Sequence, residues 1–206
     1  MPAEAFSSTF MLRFPFIFAG IAVFTAIAMI QYHRTALFEI EHTNKLHEEV
    51  SELRMEALLH DTGKIGVPDQ VLNKPGKLTD GEFDIIKSHT TIGDDILAES
   101  SELLGASDTA RYHHERYDGK GYPTGLSGKN IPVHTRIVSI ADAYDAMHSD
   151  RVYRKGLLTE TIRAELVKGR GTQFDPEFLD AFLSLFDSGA LDGIGGDAER
   201  TEQIDE

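Results

Sequence analysis

Histidine and aspartate side chains recur through the middle of this chain at positions that suit metal ions. The set is His60, Asp61, His89, His113, His114 and Asp142. Imidazole nitrogens and carboxylate oxygens are ligands that hard and borderline divalent metals prefer, and ligands drawn from several helices can hold two ions around one carboxylate. Two such ions can activate water and stabilise the leaving oxygen of a phosphate ester. The pattern therefore predicts a two-metal centre that acts on a phosphate ester.

Two residues near the start of this set are predicted to act in catalysis. Asp61 is the best candidate for the bridging ligand, because His60 can bind one ion while the second Asp61 oxygen reaches the other. Lys64 lies one turn beyond His60 and is expected to contact phosphate charge in the transition state. A basic patch further on is also suited to phosphate, and consists of Arg151, Arg154 and Lys155. A solvated loop lysine and ordinary surface salt bridges are the alternative interpretations.

The composition limits the classes of partner and of site. The chain has 206 residues, of which 41% are hydrophobic, so it is long enough for one catalytic domain with its own core. A formal net charge of -14 argues against a nucleic-acid polymer as partner, because such binding relies on a basic surface. A small phosphorylated ligand is compatible with it. Because the sequence has no cysteine, a metal must be held by histidine, aspartate or glutamate.

An uncharged apolar segment, 14–30, lies near the start of the chain. Its length is close to the lower limit of about 17 residues for a membrane-spanning helix. It is predicted to be a transmembrane anchor within an N-terminal hydrophobic segment, 1–35. The alternatives are a signal peptide cleaved after Ala26-Ile27-Ala28 and an upstream region that is not native to the fold.

Helical periodicity dominates the next part of the chain. A helix is predicted over 36–59, and its first part, 36–51, is interpreted as a connector. Apolar residues at alternating spacings of four and three form a coiled-coil seam or a buried stripe on it, namely Leu46, Val50, Leu53 and Ala57. The turn-rich sequence GVPDQVLNKPGKL then predicts a loop.

A capping box, Thr79 to Glu82, predicts the start of the helix that carries His89. His89 is expected to face the core together with four isoleucines, Ile85, Ile86, Ile92 and Ile96. Two further helices are predicted over 102–114 and 133–148, and Asp142 lies on the second of them among aliphatic residues. No segment has strand periodicity, so the predicted fold is all-α.

The C-terminal part of the chain carries helix-capping signals. Thr159 and Asp175 are predicted to be N-caps, with Pro176 as the first helical residue after Asp175 and Gly169 ending the preceding helix. The last residues, 188–206, are rich in glycine and acid and are predicted to be a disordered tail.

Four sequence blocks together resemble one known family. HDTGKIGVPD, HHERYDGKGYP, IADAYDAMHSDRVYRK and FDPEFLDAF occur here in the order and at the spacing found in the HD-GYP family of cyclic di-GMP phosphodiesterases. The resemblance covers about 52–186, so the catalytic domain is placed at 52–187. It implies an HD-type helical bundle around a His/Asp metal centre. It also implies iron or manganese as the metals, and hydrolysis of cyclic di-GMP to linear pGpG, to GMP, or to both.

The resemblance also implies roles for individual residues. The metal ligands would be His60, Asp61, His89, His113, His114 and Asp142. Lys64, Arg151 and Arg154 would bind the phosphates of the substrate. The segment Gly121-Tyr122-Pro123 matches the motif that names the family, in a loop that lies beside the site and is linked to protein partners.

The sequence departs from the family pattern at one place. Family members carry a further helix about 35 to 40 residues ahead of the HD motif, with a histidine ligand and, in three-metal members, a glutamate. In this chain the corresponding position lies near 21–25, where no histidine, aspartate or glutamate occurs. The nearest substitutes, His33, Glu41, His42 and His47, lie outside the motif context. Two metals rather than three are therefore expected, and exposed apolar surface could be covered by an anchor, a partner or a second copy in a homodimer.

Three hypotheses follow for the function. The leading one is a cyclic di-GMP phosphodiesterase attached to the cell (inner) membrane, with its catalytic domain in the cytoplasm; a wholly cytoplasmic protein is the alternative for the location. The second is a degenerate domain that binds a nucleotide or a protein partner without turnover. The third is an HD phosphohydrolase of another nucleotide, since the metal centre does not itself select a base.

Overall fold

The computed structural model describes residues 8–149 and 156–191, with side chains from residue 27 onward. Within these ranges the chain forms helices and no strand, which confirms the all-α prediction. The α-helices are α1 (Ser8–Leu59), α2 (Asp69–Leu72), α3 (Asp80–Lys87), α4 (His89–Leu97), α5 (Leu104–Tyr112), α6 (Val133–His148), α7 (Thr159–Lys168) and α8 (Pro176–Asp187). Three 3-10 helices accompany them, at Thr62–Gly66, Ser101–Leu103 and Gly128–Asn130.

The chain divides into two compact units, 1–51 and 52–206. Most of α1 belongs to the first unit. On this helix Leu46 and Val50 are 47% and 64% exposed, so the interpretation as a buried stripe is wrong for these two residues. Their coiled-coil spacing stays a prediction.

The helices whose side chains are described contain no apolar stretch long enough to cross a membrane. The predicted anchor, 14–30, falls mostly outside those residues. The predicted tail, 188–206, likewise lies outside the described residues from 192 onward.

The helices of the second unit begin and end largely at the predicted residues. The Thr79 side chain accepts from the Glu82 N–H and the Glu82 carboxylate accepts from the Thr79 N–H, so the capping box that starts α3 is confirmed. Asp175 caps α8 by accepting from the Glu177 N–H at 2.8 Å. The prediction for Thr159 is wrong, because Leu158 holds the N-cap position of α7 and its side chain makes no capping bond.

The predicted helix around His89 is two helices in the structure. Ser88 separates α3 from α4, and its hydroxyl donates to the Ile85 carbonyl at 2.6 Å, a local bond that competes with helical pairing. Ile85 and Ile96 are 41% and 43% exposed, so the single apolar face that was predicted does not form. His89 itself is 1% exposed, which confirms its predicted burial. In the predicted loop before α3, the structure adds the single turn of α2.

Two apolar clusters support the helices that surround the predicted site. The larger joins α6, α7 and α8 through Ile140, Ile162, Leu166, Phe174, Leu179 and Leu183. The smaller consists of Leu97, Ala106 and Ala110, against which Leu59 packs at the end of α1. The small alanine side chains allow α4 and α5 to approach closely.

Gly63 fixes the turn after the HD pair against α4. A Cβ atom placed on it would lie 1.9 Å from the His89 carbonyl oxygen and 2.4 Å from the Gly93 nitrogen. Both are backbone atoms, so no side-chain rotation could relieve the clash. The turn that carries Asp61 can therefore lie against the start of α4 only because residue 63 is glycine.

Candidate metal centre

The six predicted ligands lie at the ends of three helices and in the middle of a fourth. His60 and Asp61 follow α1, His89 is the first residue of α4, and His113 and His114 follow α5. The remaining carboxylate, Asp142, lies within α6. Because each helix brings its ligand from a different direction, the side chains converge on one volume, as in metal sites built between facing helices.

Asp61 lies at the middle of the set. Its Oδ2 atom is 3.3 Å from His60 Nε2, while its Oδ1 atom is 3.5 Å from His89 Nε2 and 3.8 Å from His113 Nε2. On the far side of His60, the Nε2 atom is 3.7 Å from Asp142 Oδ1. The two Asp61 oxygens thus face different histidines, which is the arrangement required of a bridging carboxylate.

Two groups of three residues present ligand atoms that all lie within 4.8 Å of one another. One is His89, His113 and His114, and the other is His60, Asp61 and His113. His113 belongs to both groups, and its ring lies 4.1 Å from that of His114 and 5.0 Å from that of His60, centroid to centroid. The geometry therefore provides two adjacent cation sites rather than one.

The backbone holds three of the imidazoles in one orientation. The Nδ1 atom of His60 lies 2.7 Å from the Ala57 carbonyl oxygen, that of His89 2.6 Å from Ile86 O, and that of His113 2.9 Å from Ala110 O. When Nδ1–H donates to these carbonyls, the Nε2 lone pair is directed at the cluster. Each ring is thereby prepared to bind a metal through Nε2.

Two buried polar atoms of the cluster support the fit of a cation. Among the described residues, His60 Nε2 and Asp61 Oδ1 have no hydrogen-bond partner although both are inaccessible to solvent. Leaving such atoms unpaired costs about 1–3 kcal/mol each, and more when the group is charged. A divalent cation would satisfy both atoms, and the donor set of imidazoles and carboxylates is one that such cations prefer.

Opposite charges control the protonation of the HD pair. Burial lowers the pKa of His60, but its contacts with Asp142 and Asp61 outweigh burial and raise it to about 10. Burial raises the pKa of Asp61, but contacts with His60 and with Lys64 bring it below its ordinary value. The two carboxylates therefore stabilise positive charge between them, on the His60 ring or on a bound cation.

Burial keeps the other histidines neutral. It lowers the pKa of His113 to about 3 and that of His114 to about 4, with repulsion from neighbouring imidazoles adding to the effect. Burial likewise lowers the pKa of His89. Neutral imidazole is the form that binds metals, so these three rings need no deprotonation near neutral pH.

A cleft with a volume of about 430 Å³ opens beside the histidines. Its wall includes His113, His114 and Asp142 together with basic and aromatic residues, namely Phe83, Lys87, Arg116, Lys120 and Tyr122. Lys64 contacts Asp61 through its ammonium group and is 42% exposed along its side chain. The cluster is thus open to a ligand on one side, and that side carries positive charge.

The loop with Gly121, Tyr122 and Pro123 was predicted to lie beside the site, and it lies there in the structure. The Tyr122 ring lies 4.9 Å from the His114 ring, centroid to centroid. A Cβ atom on Gly121 would lie 2.4 to 2.6 Å from backbone atoms of the segment 114–116, so only glycine allows this approach. Glu115 holds the loop in place, because its Oε1 atom accepts from the Thr124 N–H at 2.7 Å and from the Gly125 N–H at 2.9 Å.

The basic patch predicted to bind phosphate, Arg151, Arg154 and Lys155, lies outside the described residues. The sequence had not singled out Glu115, which is 4% exposed and ties the loop to the ligand-bearing end of α5. Its position directly after His113-His114 was a signal that could have identified it.

Comparisons with known proteins agree with this geometry. A family model for the HD domain matches residues 27–178. The cyclic di-GMP phosphodiesterase response regulator RpfG of Xanthomonas campestris is 48% identical over 66% of this chain and 36% of its own length. A cyclic di-GMP phosphodiesterase of Thermotoga maritima is also 48% identical, over 66% of this chain and 38% of its own. The 3'3'-cGAMP-specific phosphodiesterase 2 of Vibrio cholerae is 38% identical over 75% of this chain and 30% of its own. The chain thus spans about a third of the length of the curated relatives it matches.

Proposed function

The chain belongs to the HD domain family, and on that premise we propose that it is a metal-dependent phosphodiesterase that hydrolyses cyclic di-GMP to linear pGpG, to GMP, or to both. The HD-GYP resemblance is confirmed by the relatives named as cyclic di-GMP phosphodiesterases. The single observation that carries the proposal is the placement of Asp61 among the histidines of the two ligand groups, beside a cleft whose wall includes His113, His114 and Asp142.

Membership of the family implies binding of divalent metal, and the residues present fit two ions. One ion would be held by His60, Asp61 and Asp142, and the other by Asp61, His89, His113 and His114. Iron and manganese suit this mixture of imidazole and carboxylate. When bound, the pair of ions supplies Lewis-acid polarisation of the phosphoryl group and neutralises its charge.

The residues of the chain supply orientation and substrate binding. The Nδ1 contacts to backbone carbonyls keep the His60, His89 and His113 rings aimed at the cluster. Lys64 is partly exposed beside Asp61, and its ammonium group can exchange its contact with Asp61 for a phosphate oxygen. The loop through Gly121 and Tyr122 closes one wall of the cleft and limits the access of water to the reacting phosphate.

Replacement of Lys64 with alanine is expected to lower kcat/KM for cyclic di-GMP by about 10- to 100-fold, because one charge that stabilises the transition state is lost. The two ions should remain bound, since Lys64 is not a ligand. The matched control is Lys77→Ala, which removes an exposed lysine from the loop before α3. Steady-state rates and metal content would be measured together. A Lys64→Ala chain with wild-type kcat/KM would contradict the role given to Lys64.

The substrate is tested by incubating the full chain, loaded anaerobically with iron or separately with manganese, with cyclic di-GMP and with 3'3'-cGAMP. Chromatography of the products is expected to show linear pGpG or GMP from cyclic di-GMP, at a rate that exceeds cleavage of 3'3'-cGAMP. A chelator should abolish both reactions. Faster cleavage of 3'3'-cGAMP would favour the specificity for which the Vibrio cholerae relative is named.

A second candidate, a binding module without turnover, is motivated by the missing upstream ligand. No histidine, aspartate or glutamate occurs over 21–25, where the family pattern would place it. Intact cyclic di-GMP after incubation with a metal-loaded chain that binds it would establish this candidate and exclude the enzyme. We further propose that the apolar segment 14–30 anchors the protein in the inner membrane with its catalytic unit in the cytoplasm, and that the loop around Gly121 can bind a protein partner.

A further inference from the structure

A network of hydrogen-bonded polar side chains connects α1, α5 and α6 close to the metal ligands. Glu56 is 7% exposed, and its carboxylate accepts from the Thr109 hydroxyl at 2.7 Å and contacts His134 Nδ1 at 2.8 Å. The Thr109 hydroxyl oxygen also lies 3.2 Å from that of Thr135, which can donate to it. Thr109 and Thr135 are 1% and 0% exposed. A carboxylate in such a place is costly unless it is paired, so its partners must remain aligned.

Each member of this network lies on a helix that carries a ligand of the metal centre or ends directly before one. Glu56 lies four residues before His60, and Thr109 lies four residues before His113. Residues four apart lie on the same helical face, about 6 Å apart along the axis. Thr135 precedes Asp142 by seven residues, or two turns of α6. Hydrogen bonds in the network therefore fix how far the last two turns of α1, 52–59, can shift against α5 and α6.

The histidines of α4 and α5 are held together by a separate set of contacts. Asp94 on α4 accepts from the Ser107 hydroxyl at 2.5 Å and forms an ion pair with Arg111, and both of these residues lie on α5. These bonds and the small apolar cluster fix α4 against α5 without Glu56. The group His89, His113 and His114 is thus held by contacts between α4 and α5, whereas His60 directly follows α1.

We infer that Glu56 is a positioning residue that sets the register of α1 against α5 and α6, and thereby holds His60 in place for one of the two ions. The inference rests on the two-metal centre of the proposed function. It predicts an asymmetric effect: removing the network weakens the ion bound by His60 and Asp142, and leaves the ion bound by His89 and His114 unchanged.

The test measures Mn²⁺ binding to the full chain by isothermal calorimetry, at a temperature where circular dichroism shows each variant to be folded. Glu56→Ala is expected to lower the Mn²⁺ affinity of one of the two sites by about 10- to 100-fold, because changes to groups that orient ligands have effects of this size. The affinity of the other site should equal that of the wild type. Should Glu56→Ala fail to fold, Thr109→Val removes one hydroxyl with little change in size, and Thr109→Ser restores it. Glu52→Gln is the matched control, because it removes an exposed charge one turn earlier on α1.

One weakened site in Glu56→Ala or Thr109→Val, with wild-type binding in Thr109→Ser and Glu52→Gln, supports the inference. Two unchanged sites, or two sites weakened equally, overturn it, because a purely structural role would lower the melting temperature without separating the ions. A wild-type chain that binds fewer than two Mn²⁺ ions overturns the two-metal centre itself, and with it the inference.

Discussion

Replacement of Asp61 with alanine is expected to reduce hydrolysis of cyclic di-GMP by roughly 10³-fold or more. The two oxygens of Asp61 face different histidines, at 3.3 Å from His60 Nε2 and 3.5 Å from His89 Nε2. Its loss removes a ligand from each ion, and metal ions contribute several kcal/mol of transition-state stabilisation. Because about 1.4 kcal/mol corresponds to a tenfold change in rate, a loss of this size lowers the rate by several factors of ten. The bound metal should fall together with the rate.

The measurement compares product formation and metal content of Asp61→Ala with those of Asp69→Ala. Asp69 is an exposed carboxylate in the same segment of chain, at the start of α2, so its replacement removes the same charge outside the cluster. The Asp69→Ala chain should retain the wild-type rate. If Asp61→Ala were folded and still turned over cyclic di-GMP at the wild-type rate, the placement of the catalytic centre would be wrong.

Replacement of Gly63 with alanine is expected to lower the free energy of unfolding by about 3 kcal/mol or more. The added Cβ would meet the His89 carbonyl oxygen at 1.9 Å and the Gly93 nitrogen at 2.4 Å, so the turn must separate from α4. Overpacking against side chains costs about 1–3 kcal/mol, and here the obstacle is backbone. A change of 3 kcal/mol corresponds to a fall in Tm of roughly 6–12 °C for a chain of this size.

Gly81→Ala provides the matched control for this substitution. Gly81 lies in the first turn of α3, and a Cβ on it would meet nothing within 4 Å. Because alanine favours the helix by about 0.5–1 kcal/mol over glycine, Gly81→Ala should unfold at the wild-type temperature or slightly above it. Thermal unfolding followed by circular dichroism compares the two. Equal melting temperatures would show that the HD turn does not need the close approach to α4.

Local patterns in the sequence predicted the features that depend on neighbouring residues. The bounds of α6, the capping box at Thr79 and the N-cap at Asp175 were all indicated by residues within one or two turns. The ligand types were likewise recognisable, since six histidines and aspartates at those positions have no packing purpose. The structure brings five of the six side chains into the two ligand groups, and the sixth, Asp142, lies 3.7 Å from His60 Nε2.

Features that depend on distant residues could not be predicted in this way. Glu56 pairs with Thr109 and His134, which lie 53 and 78 residues away, and no local pattern connects them. Ile85 is 41% exposed although it lies on the predicted apolar face, because helical periodicity does not show which face other helices cover. At Thr159 the residue type suited a cap, but the preceding leucine already has the extended backbone that the cap position requires.

The orientation of the metal-binding imidazoles and the shape of the cleft depend on different parts of the chain. The His60, His89 and His113 rings are oriented by bonds to backbone carbonyls close to them in sequence. Each acceptor lies only three residues before its ring, so the aim of the imidazole is a local property of one helical turn. The loop that forms the cleft wall is attached instead through Glu115 and the glycine at 121. Substitutions elsewhere in that loop can alter which nucleotide fits the cleft while the metal-binding imidazoles keep their orientation. Such modularity would let one metal scaffold acquire new substrates through changes in a single loop.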